Sequence, residues 1–248
     1  RIITKGAFAS VASICDTVRE NGSVRSLDAS ARLRLEAYLR QQSEAGIRVL
    51  ALAERTLLAK ALYEIEDESN LTFLGFLLFR DPPKPDAEKT IRDLRALGIA
   101  AKIITGDNRY VTAHLARQIG LDPGAMITGG ELASMKDEAL WHRAPLTDLF
   151  AEIDPQQKER IVRALQHGGL SVGFLGDGIN DAPALRAADV GISDEDAVDV
   201  ARQAAIDDRA IELQSGEERH QLLRLNLQTL ALLGRQLAAV GRLARCGQ

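Results

Sequence analysis

Apolar positions along the chain change their pattern near residue 70, and the change divides the sequence into two regimes. Residues 1–4 read as the end of a strand and Lys5-Gly6-Ala7 as a turn. Residues 8–20 read as a helix closed by Asn21-Gly22. A second helix is expected over residues 29–45, with Leu33, Leu35, Tyr38 and Leu39 at apolar or aromatic positions and Gly46 as its stop. Residues 47–53 form a mostly apolar strand interrupted by Arg48. From Leu71 onward, strands alternate with helices, the signature of a parallel sheet covered on both faces. The expected strands are 71–79, 99–104, 149–153, 170–175 and 190–193, and the expected helices are 86–97, the segment running to Gly120, and the one from Pro155 through Gln166. Residues 122–143 read as a polar, structural excursion with a short helix around Trp141.

Composition narrows what such a chain can do. Its 248 residues are 46% hydrophobic and 27% charged, enough to bury one good core or two smaller ones. A formal net charge of −4 leaves no basic footprint, and 4% aromatic content supplies few stacking platforms, so nucleic acid is not an expected partner. Cys15 and Cys246 lack metal-finger or CxxC spacing, which fits a reducing compartment, and the four histidines are scattered. No apolar run approaches the roughly 20 residues of a membrane-spanning helix. The opening Arg1-Ile2-Ile3-Thr4 carries neither an initiator Met nor a signal peptide and reads as cut from a longer protein.

Candidate chemistry gathers at the ends of expected strands, where ligands of open α/β sheets collect. After the apolar run 170–175 comes Gly176-Asp177-Gly178-Ile179-Asn180-Asp181-Ala182-Pro183-Ala184-Leu185. Its glycines permit a sharp turn, and Asp177 and Asp181 supply hard oxygens suited to Mg²⁺. The competing reading is an acidic turn in which Asp181 caps a helix and Pro183 enters its first turn. Thr105-Gly106-Asp107-Asn108 offers a hydroxyl and free amides at a strand-to-helix turn, fit for an anion, while capping by Asp107 or Asn108 serves the chain equally well. Lys158 stands in the first turn of its helix, where the dipole opposes a cation unless a negative group lies nearby. Arg48 and Lys5 could each be a phosphate contact or a solvated cation.

Thr105-Gly106-Asp107, Lys158 and Gly176 through Asp181 resemble, in order and strand-end context, the later motifs of the haloacid dehalogenase superfamily. Asp81-Pro82-Pro83-Lys84 upstream and Ala182-Pro183-Ala184-Leu185 downstream narrow the resemblance to P-type cation-transporting ATPases. The run 187–193, followed by 197–202, looks most like the magnesium-importing subgroup. The resemblance implies a Rossmann-like parallel sheet of the haloacid dehalogenase type, the later portion of a phosphorylation domain, over residues 73–213. Part of an α+β nucleotide-binding domain would precede it over residues 1–72, and a Leu- and Arg-rich amphipathic helical tail would follow over residues 214–248.

By the same resemblance, the parent enzyme hydrolyses ATP through an aspartyl-phosphate and moves a cation, Mg²⁺ by subgroup, across a membrane, with this portion on its cytoplasmic side. Thr105, with Gly106 and Asp107, would hold the phosphoryl oxygens and Lys158 would neutralise them. Asp177 and Asp181 would bind Mg²⁺, with Asn180 completing the surroundings. Lys5 and Gly6 would lie against ATP, Arg48 would contact its phosphates, and Asp81, Pro82 and Pro83 would form a hinge. The departures are an absent Asp-Lys-Thr-Gly-Thr acceptor motif, an absent first half of the nucleotide domain with its adenine-stacking aromatic residue, absent actuator and transport segments, and Phe8 where the family commonly has proline. The isolated chain is therefore expected not to form the aspartyl-phosphate, and its sheet to lack the strand carrying the acceptor. Self-association through that edge or the Leu-rich tail is an accompanying expectation. The alternative is a non-catalytic module that binds nucleotide, Mg²⁺ or a partner.

Overall fold

The structure is a computed structural model that describes residues 1–59, 64–176, 178–194 and 211–213. Two compact units make it up: residues 1–84 with 107–118, and residues 85–106 with those from 119 onward. Asp177, the run 197–202 and the tail 214–248 lie outside the described residues.

In the first unit, β1 (Ile2–Gly6), β2 (Cys15–Glu20), β3 (Ser23–Ser26), β4 (Ile47–Arg55) and β5 (Leu71–Arg80) form one sheet in the order β1-β4-β5-β2-β3. The β2–β5 pair is parallel and the other pairs are antiparallel. Helices α1 (Phe8–Ser13) and α2 (Ala29–Glu44) contact β4, and Asp28 caps α2 by accepting from the Ala31 amide at 2.7 Å. Ala51 and Ala53 on β4 are fully buried, and such small side chains let α1 approach the sheet closely. Phe8 then meets the Phe73 ring edge-on, with centroids 5.8 Å apart and planes at 87°.

The expected helix over residues 8–20 is corrected: it ends at Ser13, and the chain continues as the β2–β3 hairpin. Phe8, Val11, Cys15 and Val18 are all buried at successive spacings of three, four and three, which is helical periodicity. In β2 this spacing arises because the register against β5 shifts between Cys15 and Thr17, so an irregular strand imitates a helix. Asn21 (φ 49°) and Gly22 (φ 79°) are both left-handed, the requirement of a two-residue hairpin turn rather than a helix stop.

In the second unit, α3 (Ala87–Ala96) leads to β6 (Ile103–Ile104); α4 (Arg109–Gln118) packs with the first unit. The chain then forms β7 (Met126–Thr128), α5 (Gly129–Ser134), α6 (Asp137–Arg143), β8 (Leu149–Ala151), α7 (Pro155–His167), β9 (Gly173–Leu175), α8 (Ala182–Ala187), β10 (Val190–Asp194) and β11 (Ile211–Leu213). The expected parallel α/β arrangement is present, divided into two three-stranded sheets of order β6-β8-β7 and β11-β10-β9. β6 and β9 are terminal strands, each with one edge unpaired among the described residues. Ile104 and Val172 nevertheless pack against both buried clusters of this unit.

Two expectations change here. Of residues 99–104 only Ile103 and Ile104 enter a ladder, because β6 has a strand on one side alone. The stretch 122–143, expected to be a polar excursion, supplies β7, α5 and α6, and its Ile127, Leu132 and Leu140 are completely buried. Isolated apolar residues among many polar ones hide a core contribution when the elements are short.

Gly22→Ala is expected to cost ~1 kcal/mol, since alanine is strained at that φ. Phe73→Ala is expected to cost ~4 kcal/mol through loss of burial and a residual cavity. Urea denaturation of both variants measures the two values, and a neutral Gly22→Ala would contradict the hairpin.

Candidate functional site

At the carboxyl end of β6, Thr105 is tied by its backbone to the chain emerging from β8. Its amide donates to Phe150 O at 2.9 Å, and its carbonyl accepts from the Ile153 amide at 3.0 Å. Glu152, between those partners, adopts φ 60°, an uncommon conformation for a non-glycine residue. Thr105 is half-buried and Gly106 is exposed, so the turn faces solvent on a rigid base.

Lys158 is placed by α7, whose N-terminus is a capping box. Asp154 Oδ1 accepts from the Gln157 amide at 2.8 Å, and Gln157 Oε1 accepts from the Asp154 amide at 3.1 Å. From that first turn, Lys158 Nζ donates to Asp181 Oδ1 at 2.6 Å. The two side chains retain only 15% and 13% exposure, so this is a largely desolvated pair. The negative group required beside a cation in a first helical turn is therefore Asp181.

The turn after β9 closes around the same carboxylate. Gly178 donates its amide to Asp181 Oδ2 at 3.2 Å, and the Gly176 amide donates to Ile192 O at 3.1 Å. A Cβ on Gly176 would lie 2.6 Å from Asp181 Cβ and 3.0 Å from the Phe174 ring, so the close approach admits glycine alone. Asp181 occupies the position before α8, and Pro183 enters that helix's first turn. Its side chain makes no capping bond and serves Lys158 instead. Asn180 is exposed beside it. Thr105, Gly106, Lys158, Asn180 and Asp181 thus all belong to the second unit, at strand ends or the turns and helix starts that follow them.

Asp107 belongs to the first unit, where its Oδ1 lies 3.2 Å from Arg48 Nε. The capping role left open between Asp107 and Asn108 falls to Asn108, whose Oδ1 accepts from the amides of Tyr110 and Val111 at 3.0 Å. Its Nδ2 donates to the buried Ser43 hydroxyl at 3.0 Å.

Lys5 and Arg48 share one face of the five-stranded sheet. Lys5 stands opposite Leu52, and Leu50 and Arg48 follow on the same side of β4, away from the core alanines Ala51 and Ala53. Opposite Leu52 on β5, Gly75 leaves open space where a side chain would stand. The result is an apolar strip with a cation toward each end. Gly6 closes β1, and a Cβ there would meet Val11 at an ordinary 3.5 Å. Asp81 and Pro82 are exposed and Pro83 half-buried, directly after β5 in a stretch without regular structure. Cys15 is buried, and burial pushes its thiol up to about 11, which leaves it unreactive near neutrality.

Sequence reasoning gave no role to Gln157 and Arg160, which grip α5 from α7: Gln157 Nε2 donates to Gly129 O at 2.9 Å and Arg160 Nη1 to Leu132 O at 2.7 Å. The Asp-Pro-Gln-Gln start of the helix signals the cap, but nothing in sequence points to α5 as the partner. Among the described residues, no helix is long and apolar enough to cross a membrane.

The haloacid dehalogenase-like hydrolase family matches residues 4–189. The chain is 43% identical over 206 residues to the magnesium-transporting ATPase, P-type 1, of Salmonella typhimurium (strain LT2), covering 83% of this chain and 23% of that protein. Identity to the Escherichia coli (strain K12) protein of the same description is 42% over 206 residues, with the same coverage. The calcium-transporting ATPase of Bacillus subtilis (strain 168) is 34% identical over 208 residues, 82% of this chain and 23% of that protein. The chain spans less than a quarter of the length of these relatives. Matched by that family over most of its length and by P-type ATPases over more than four fifths of it, the chain belongs to the haloacid dehalogenase-like hydrolases, on their P-type ATPase branch.

Proposed function

We propose that this chain is the nucleotide-holding and phosphoryl-handling portion of a pump that couples ATP hydrolysis to Mg²⁺ movement across a membrane, from the cytoplasmic side. The observation that carries the proposal is the desolvated Lys158–Asp181 pair at the carboxyl ends of parallel strands, with the Thr105 turn bonded through its backbone to Ile153, just before the helix that bears Lys158. Phosphoryl transfer asks for preorganised cations and donors more than for covalent help, and these residues are fixed before any ligand arrives. Thr105 and the Gly106 amide would hold the phosphoryl oxygens, and Lys158 would neutralise their charge. Asp177 and Asp181 are the carboxylates suited to Mg²⁺, with Asn180 beside them, and the carboxyl-rich turn after β9 fits that hard cation. Bound there, Mg²⁺ would supply charge neutralisation at the transferred group.

The strip between Lys5 and Arg48 fits a nucleotide: a flat base can lie on Leu50 and Leu52, with a cation available for its phosphates. In this reading, Arg48 exchanges Asp107 for phosphate oxygens, and Asp81, Pro82 and Pro83 allow the two functions to work as separate parts.

The acceptor aspartate is not among these residues, since the sequence contains no Asp-Lys-Thr-Gly-Thr. The free edges of β6 and β9 fit a sheet whose intervening strand comes from elsewhere in the pump. A second reading, a non-catalytic module binding nucleotide or Mg²⁺, draws its support from that same missing motif. Free edges also favour pairing with a second copy when no such strand is supplied.

Incubation with γ-labelled ATP and Mg²⁺ followed by acid quenching is expected to leave no acid-stable acyl-phosphate on the chain, and a labelled chain would refute the assignment of the acceptor to another segment. Calorimetry is expected to detect ATP binding that weakens about tenfold in Arg48→Ala and in Lys5→Ala, as loss of a charge-assisted contact predicts. Equal affinity in all three proteins would remove the nucleotide strip from the proposal.

A further inference from the structure

Lys158 reaches Asp181 only if α7 holds one rotation about its own axis. Successive side chains on a helix are about 100° apart, so Gln157, Arg160 and Ile161 share one face while Lys158 and Val162 share the next. The buried residues follow this division. Ile161 packs into the cluster of Ile127, Leu132, Leu140 and Phe150, whereas Val162 packs with Phe174, Ala182 and Leu185. Apolar packing alone tolerates small rotations, because neighbouring side chains can adjust. Hydrogen bonds with fixed directions do not.

On the face that carries Gln157 and Arg160, those directed bonds come from α5 and the start of α6; farther along α7, Gln166 Nε2 donates to Ala187 O at 2.8 Å. Arg160 Nη1 donates to Leu132 O at 2.7 Å, Nη2 to Met135 O at 2.5 Å, and Nε to Asp137 Oδ1 at 2.8 Å. The first two acceptors lie at the carboxyl end of α5, where Leu132 O also accepts the Met135 amide at 3.2 Å. One turn earlier, Gln157 Nε2 donates to Gly129 O at the opposite end of the same short helix. Gly129 makes the second grip possible, because a Cβ there would fall 2.1 Å from Glu152 O and 2.9 Å from Gln157 Oε1. The left-handed turn at Glu152 brings that carbonyl to Gly129 and lets the chain pass into α7. α5 is thus held at both ends by side chains of α7 that flank Lys158.

We propose that Arg160, assisted by Gln157, is a positioning residue of the phosphoryl site: by gripping both ends of α5 the two fix the rotation of α7 and so hold Lys158 in place. The inference rests on Lys158 being the cation that meets the phosphoryl group, as assigned above. An atom ~8 Å from a helix axis moves ~1.4 Å for a rotation of ~10°, which is enough to break a 2.6 Å contact. Misplacement on that scale is costly wherever a charge must meet its target in one geometry. A planar guanidinium with forked donors suits this task, and lysine, a single point charge, does not reproduce it.

The test measures inorganic phosphate binding to the full chain by calorimetry with Mg²⁺ present, below the melting temperature of every variant. Arg160→Ala and Arg160→Lys are expected to weaken binding about tenfold and Gln157→Ala less, while Arg163→Ala, which loses only an exposed pair with Glu159, leaves it unchanged. In a Lys158→Ala background, Arg160→Ala is expected to have no further effect, since Arg160 acts only through Lys158. A lower melting temperature with unchanged phosphate affinity in both Arg160 variants would overturn the inference, and so would additive losses in the double variant. If the unsubstituted chain binds no phosphate, or Lys158→Ala binds it equally well, the site assignment falls and the inference with it.

Discussion

A lysine in the first turn of a helix faces the positive end of the helix dipole, and here it is also largely removed from water. Both costs are met by one carboxylate, Asp181, and much of the second unit is arranged around their contact. Asp181 lies in the turn after β9 and Lys158 in the helix after β8, so the pair joins two strand ends that belong to different sheets. The cost of desolvating both ions is recovered only when each is also held by further polar groups. Gly178 donates to the second oxygen of Asp181, and Gly176 permits the approach. Removing either member alone would leave a buried charge without its counterpart.

The division of the second unit into two parallel sheets has a related consequence. β6 and β9 end their sheets, yet Ile104 and Val172 pack against both buried clusters, so side chains bridge a place where no backbone ladder does. α7 spans the same place, sending Ile161 to one cluster and Val162 to the other. Packing of this kind brings the strand ends together without closing the sheet. Open parallel edges are costly because parallel strands depend on cover and continuous pairing.

The first unit shows a different economy. Its alanine-lined face is closed by α1 and α2, while the opposite face displays Lys5, Leu50, Leu52 and Arg48 in one row. Strand alternation makes this division unavoidable once the register is set: residues whose neighbours are core alanines must face away from the core. Arg48 is meanwhile engaged by Asp107, which moderates an otherwise unpaired cation on an exposed face. The glycine at position 75 keeps the strip flat where a side chain would interrupt it.

Much of this was legible in the sequence, for reasons that are themselves local. Strand-to-helix turns bearing Thr105 and Asp181 announce themselves through an apolar run, glycine, and an acid or hydroxyl, because turn chemistry and capping depend on neighbours in the chain. The parallel α/β character was equally readable from the alternation of elements after Leu71. What misled the reading of residues 8–20 was a register shift in β2, which gives a strand helical spacing and can be recognised only from its partner β5. The choice of Lys158 rather than α8 as the partner of Asp181, and the grip of Arg160 on α5, depend on contacts 23 and 28 residues distant in sequence. The sequence by itself therefore determined which residues carry charge and where the chain turns. Which of them meet was decided by tertiary packing, because the rotation of a helix and the pairing of a strand are fixed by surfaces that no local stretch contains.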